Sequence, residues 1–341
     1  MSREIWVAGF PSFYGGADTE LDHLIDLFVA YGVDVHLVPM FGCDVRMKEA
    51  VLQRGCSVHS YSDDIFKDRT VVSFCNGRFL EHLPAIVAAG RPQTVIWFNC
   101  MTWLFEPEKE AHRNGWIDYF GFQSDYQRRL LTPQLEQIAP VVRTFPYTPY
   151  FNTARIEWAY APWKEFYRIG RVSRDDANKF APDTWRIFER VLVPKGVKKK
   201  VYILGYGPKA AGRIGRAPGT LDWQTWSPNS ISAAEFFCTV NTMIHKTGGS
   251  RENCPRVLFE AYAYGAVAVV ERDFAFPEFV VHGETGYMGS SSDEMSYYAS
   301  MVAMDPAEHR RVAENARTHL AESMGRRETC WAGWQTVLQS V

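Results

Sequence analysis

One segment constrains the fold more than any other: Ser250-Arg251-Glu252-Asn253-Cys254-Pro255-Arg256-Val257-Leu258-Phe259-Glu260-Ala261-Tyr262-Ala263-Tyr264-Gly265, with the apolar run 266–270 behind it. Its order is loop, helix, glycine stop, strand. Asn253 is a residue type that caps helices, and Pro255 suits a first turn, where its missing N–H would have had no partner. Val257, Leu258, Ala261 and Tyr262 fall on one helical face. Gly265 takes the left-handed conformation that ends a helix. Ala266-Val267-Ala268-Val269-Val270 has no polar member, so it reads as a strand covered on both faces, as in a parallel sheet.

Two carboxylates frame that helix. Glu252 stands before its N-terminus and Glu260 lies eight positions on, roughly 10–12 Å away along the axis. The N–H groups and dipole between them favour an anion. A carboxylate accepts paired hydroxyl hydrogen bonds, so a hydroxyl pair at each end with phosphate between describes a nucleotide sugar. An ordinary helix with an acid ahead of it and one buried Glu has the same spacing, and spacing alone does not separate the two.

The segment, with Glu278-Phe279-Val280-Val281-His282-Gly283-Glu284-Thr285-Gly286 after it, resembles the signature of the retaining GT-B glycosyltransferases of family 4. There a Glu, seven intervening residues and a second Glu open the donor helix. The resemblance implies an α/β protein of two Rossmann-like domains facing a cleft. The second domain would hold the donor and the first the acceptor, with a last helix returning to the first. It implies Glu260 on the ribose hydroxyls and Glu252, as a catalytic residue, on the donor-sugar hydroxyls. Backbone N–H groups around Asn253, Cys254 and Pro255 would orient sugar and phosphate, although Pro255 has no N–H of its own. The family's glycine–arginine…lysine loop corresponds to Gly170, Arg171 and Lys179, with a longer gap than usual, so that Arg174 would share the arginine role. A leaving diphosphate gains charge in the transition state, and fixed cations lower that barrier. Surface pairing of these cations with Asp175 and Asp176 is the alternative, and the diphosphate reading is preferred.

Along the rest of the chain, strands at 4–9, 33–38, 56–61, 70–74, 93–98, 141–145, 166–171, 200–204 and 242–245 alternate with amphipathic helices. The first loop carries Gly15, Gly16 and Asp18. It lacks GxGxxG, so no nicotinamide fingerprint is present. It matches the family's N-terminal glycine loop, which touches the donor diphosphate and, through Asp18, acceptor or sugar. Asn99 stands at a strand end where relatives carry a His, and is the candidate to bond a sugar hydroxyl in its place. Trp226 would stack on the nucleobase or pack in the core. His245 reads either as a donor contact or as a structural His.

A chain of 341 residues suits two domains of about 150 each. We place them at 1–160 and 161–325, with the return helix at 326–341. A net charge of −2 creates no general attraction for nucleic acid or anionic membrane. Seven cysteines without a CxxC pair fit reduced thiols and a cytoplasmic setting. No secretory signal, no run of 18 apolar residues and no DxD metal motif occur; Asp63-Asp64 reads as a solvated loop. The expected function is metal-independent, cofactor-free transfer of a hexose or pentose from a UDP- or GDP-sugar to a hydroxyl of a glycan, lipid, small molecule or modified DNA. The alternatives are a phage-type glycosyltransferase of DNA bases and a non-catalytic nucleotide-sugar binder. Nothing in the sequence fixes the oligomeric state.

Overall fold

The computed structural model describes residues 3–339. The chain forms two compact units, one of residues 1–152 and 323–341 and the other of residues 153–322.

The first unit is built on strands β1 (Arg3–Ala8), β2 (Val33–Val38), β3 (Ser57–Val58), β4 (Thr70–Phe74), β5 (Thr94–Phe98) and β6 (Tyr119–Gly121). They lie in the order β3-β2-β1-β4-β5-β6, all parallel. The second unit uses β7 (Phe166–Val172), β8 (Lys198–Leu204), β9 (Asp222–Trp226), β10 (Thr242–His245), β11 (Val267–Glu271) and β12 (Tyr287–Gly289). Their order, β12-β11-β10-β7-β8-β9, is again all parallel. Each sheet therefore has the doubly wound order 3-2-1-4-5-6. Its direction of growth reverses between the first and fourth strands, and the crevice outside the strand C-termini at that point is where such sheets take ligands. Here the reversals fall at β1/β4 and β7/β10.

The central strands bury mostly apolar side chains on both faces, because each sheet carries helices on its two faces. Ile5, Val7, Val72 and Ile96 pack against Leu24, Ile25 and Phe28 on one face of the first sheet. Trp6, Val71, Val95 and Trp97 pack against Phe79, Leu83 and Leu131 on the other. The last helix, Arg327–Gln339, adds Trp331 and Trp334 to the first of these layers. Trp334 is fully buried, edge-on to Phe28 at 4.9 Å, and Trp331 stacks on Tyr31 at 4.5 Å.

Three local expectations differ from the structure. The helix of the framing segment runs over Arg256–Tyr264, with Pro255 as its N-cap and no side-chain cap. Asn253 therefore stands outside it, because Pro255 ends the extended approach and the helical hydrogen bonds start after it. Residues 141–145 do not form a strand; Val141 is exposed and only Thr144 bridges to Phe120. Conversely, Asp222–Trp226 is an edge strand that the mostly exposed side chains gave no period to reveal. Gly265 does end the helix at φ 92. A Cβ there would stand 2.5 Å from Trp158 Nε1 and 2.9 Å from Tyr160 Cβ, so close packing as well as conformation requires glycine.

Candidate functional site

The β7/β10 reversal gathers the charged residues of the second unit. Arg171 is the penultimate residue of β7, Lys179 lies in a single helical turn after it, His245 ends β10, and Glu252 follows in the loop before the helix Arg256–Tyr264. Glu252 is buried, and its Oε1 accepts from Lys179 Nζ at 2.6 Å. His245 Nε2 stands 3.5 Å from the same oxygen, a charge–dipole contact rather than a hydrogen bond. Burial alone would raise the Glu252 carboxyl; His245 and Lys179 more than reverse that and hold it well below the usual carboxylate range. Glu252 is thus a fixed anion. Oε1 is engaged and Oε2 takes no hydrogen bond among the described residues.

Arg171 is turned inward. Its guanidinium is buried and donates to the carbonyls of Val172 at 2.9 Å and of Lys179, and to His245 Nδ1. This differs from a direct diphosphate clamp: its Nη donors go to Val172, His245 and the carbonyl of Lys179, while buried Nε has no partner among the described residues, so Arg171 shapes the site from below. Burial lowers its pKa to about 10, leaving it charged at neutral pH. Glu271, at the end of β11, takes the N–H and hydroxyl of Thr247 at 3.0 and 2.8 Å and helps balance Arg171. Arg174, after β7, is exposed and stands 3.9 Å from Asp176.

Glu260 lies one turn inside the helix, half-buried, with Arg256 as its charged neighbour. No hydrogen bond reaches its carboxyl among the described residues, and burial pushes its pKa up to about 7. Asn253 is buried and Cys254 half-buried between the two glutamates in sequence. Trp226, the last residue of β9, is half-buried, with Tyr202 at 5.3 Å and Phe236 at 6.1 Å.

The first unit carries the remaining candidates. Gly15 caps the helix Gly16–Ala30 at φ 90, a conformation that glycine adopts without strain, and both glycines are exposed. Asp18 sits in that helix's first turn, and burial raises it to about 6. Asn99 differs from the expected sugar contact. It is buried, and Nδ2 donates to Glu108 Oε2 at 2.6 Å and to Trp103 O at 2.9 Å, while Oδ1 accepts from Met101 N at 2.7 Å. Its amide is used up in shaping the loop after β5. The next residue, Cys100, is held at φ 58, and Cys75, after β4, at φ 47. Left-handed non-glycine residues of this kind gather where a surrounding structure imposes them.

No protein-family model matches the sequence, and no curated protein matches it. Solved structures do. Anabaena HepE, in complex with UDP and glucose, superposes with a TM-score of 0.67 at 15% identity, covering 100% of both chains. Sucrose-phosphate synthase from Thermosynechococcus elongatus gives 0.69 at 14%, over 99% of each chain. A mutant of S. aureus TarM, in complex with Fondaparinux, alpha-GlcNAc-glycerol and UDP, gives 0.70 at 10%, over 99% of each chain. Together with two doubly wound six-stranded sheets, this decides the architecture.

The chain has the GT-B fold.

Within that fold the structure joins Arg171, Lys179 and Glu252, which the sequence had named, through His245, which the sequence left between two readings. The signal for His245 was its place as the polar end of an apolar strand, Thr242–His245, at a sheet's C-terminal edge. Among the described residues no group of three His, Cys, Asp or Glu side chains is placed to hold a metal, and no helix is long and apolar enough to cross a membrane.

Proposed function

We propose that this GT-B protein transfers a sugar from a nucleoside diphosphate sugar to a hydroxyl acceptor, with retention at the anomeric carbon and without a metal. One observation carries the reading: a buried Glu252 carboxylate, tethered to Lys179, stands at the approach to a helix at the C-terminal edge of β7 and β10. Glu252 Oε2 would accept from a donor-sugar hydroxyl. Lys179 Nζ would be shared between Glu252 and the diphosphate, neutralising charge as the bond from anomeric carbon to phosphate oxygen breaks. The acceptor oxygen bonds to the anomeric carbon from the face the diphosphate leaves, the bonding pair stays on the diphosphate, and a phosphate oxygen takes the acceptor's proton. No protein nucleophile is then needed. Arg171 would act through Lys179 by holding its carbonyl, and Glu260 would accept from the ribose hydroxyls. UDP leads the donor candidates because HepE and TarM are seen with it. The acceptor would bind the first unit, near Asp18.

A thermal-shift panel of UDP, GDP, ADP, CDP and dTDP with their common sugars, with and without EDTA, tests this. A ligand at 100 times its dissociation constant stabilises by about 2.7 kcal/mol. Stabilisation by one nucleotide family, unchanged by EDTA, is expected. No shift with any nucleotide would overturn the proposal.

A further inference from the structure

Among the described residues, His245 is the one buried imidazole in contact with both a guanidinium and the site carboxylate. Its environment leaves a single consistent hydrogen assignment. A guanidinium has donors only. Arg171 Nη1 has two hydrogens, and its two partners are the Val172 carbonyl and His245 Nδ1. His245 Nδ1 must therefore accept, and in a neutral ring the proton then sits on Nε2, which faces Glu252 Oε1. The charged groups facing the ring come from three elements: Arg171 from β7, Lys179 from the turn after it, and Glu252 from the loop before the helix Arg256–Tyr264. Phe276 closes the remaining side at 5.4 Å.

We infer that His245 is a positioning residue. Locked by Arg171 as the neutral Nε2–H tautomer, it turns its N–H dipole on Glu252 and, with Lys179, fixes which carboxylate oxygen is left for the donor. The chain runs Arg171 to His245 to Glu252, with Lys179 closing it. Oε1 is bonded to Lys179 and faced by His245 Nε2 at 3.5 Å, and Oε2 alone is offered. Burial and Arg171 pull the imidazole down to about 4, so its charge state does not change across neutral pH. This makes Glu252 an acceptor-only group of fixed orientation, suited to a hydroxyl donor and unsuited to a second anion. The consequence for substrate rests on the donor reading above: His245 would govern affinity for the sugar part of the donor and leave the diphosphate part to Lys179.

Two measurements test this. The first is ¹⁵N NMR of the histidines in the full chain without ligand, with His245 assigned by loss of its signals in His245→Gln. A neutral Nε2–H ring that does not titrate between pH 5 and 8 is expected. An Nδ1–H tautomer, or a midpoint inside that range, overturns the inference. The second compares binding of a nucleotide sugar with that of its nucleoside diphosphate. His245→Leu, which keeps bulk but neither accepts nor donates, should lower the sugar-to-diphosphate affinity ratio about tenfold. His245→Gln, which offers both an acceptor and a donor, should recover most of it. An unchanged ratio in His245→Leu overturns the inference. If the wild type binds no nucleotide, the donor reading falls and the NMR result alone decides the role of His245.

Discussion

Glu260 makes the proposed donor site pH-dependent in a direction that can be calculated. Its carboxyl is raised from the ordinary 4.5 to about 7 by burial, with only Arg256 opposing. For an acid shifted this way, the empty protein is free of the penalty below pH 4.5, and loses stability as pH rises from 4.5 through about 7 and the buried carboxylate forms. Donor binding has the opposite sign, because ribose hydroxyls donate to the carboxylate and solvate the ion that the protein does not. If only the ionised form binds, the competent fraction is about 0.09 at pH 6 and about 0.91 at pH 8, so affinity rises about tenfold, or about 1.4 kcal/mol. The ligand must be a nucleotide sugar. Its diphosphate is esterified at both ends, whereas a free nucleoside diphosphate has a proton with a pKa of about 6 that would mimic the effect. Calorimetry at pH 6, 7 and 8 measures the slope, and Glu260→Gln assigns it, since Asp18 and Glu108 also titrate near this range at about 6 and about 7. The expected result is a tenfold rise in the wild type and a flat, weaker profile in Glu260→Gln. A flat wild-type profile, or an equal slope in the variant, refutes the argument.

Further outcomes follow from the same geometry. Lys179→Met removes a charge-assisted hydrogen bond at 2.6 Å. It should weaken nucleoside diphosphate binding by about 1.5–3 kcal/mol, read by calorimetry, and raise the Glu252 carboxyl. Glu252→Ala should leave diphosphate affinity within a few-fold and chiefly slow turnover, read as a fall in kcat in a coupled nucleotide-release assay. Trp334→Ala empties a fully buried indole site among Phe28, Phe98 and Phe145. It should destabilise by about 3–5 kcal/mol, seen in urea unfolding, while Trp334→Phe should cost less.

What the sequence made legible was local. The framing segment could be read because each of its signals lies within a few residues: a helical period, a glycine that must be left-handed, and five apolar residues in a row. The strand Asp222–Trp226 escaped because an edge strand with mostly exposed side chains carries no alternation. Residues 141–145 were over-read because Val141, Val142 and Phe145 have strand-like composition, yet the sheet ends at β6 and gives them one bridge. The site follows the same division. Sequence named Arg171, Lys179 and Glu252, but a residue's identity does not say which way it points. A one-residue change of face in β7 separates an arginine that greets solvent from one that braces a loop. The hydrogen bonds that settle this join Arg171 to His245 and Lys179 to Glu252, across 74 and 73 residues of sequence. They exist only because the doubly wound order brings β10 beside β7. His245, unremarkable in a strand of four residues, acquires a fixed tautomer and a neighbouring carboxylate from that pairing alone. The fold was therefore readable from its pieces. The chemistry of the site depends on the one feature no piece contains, the position at which strand order reverses.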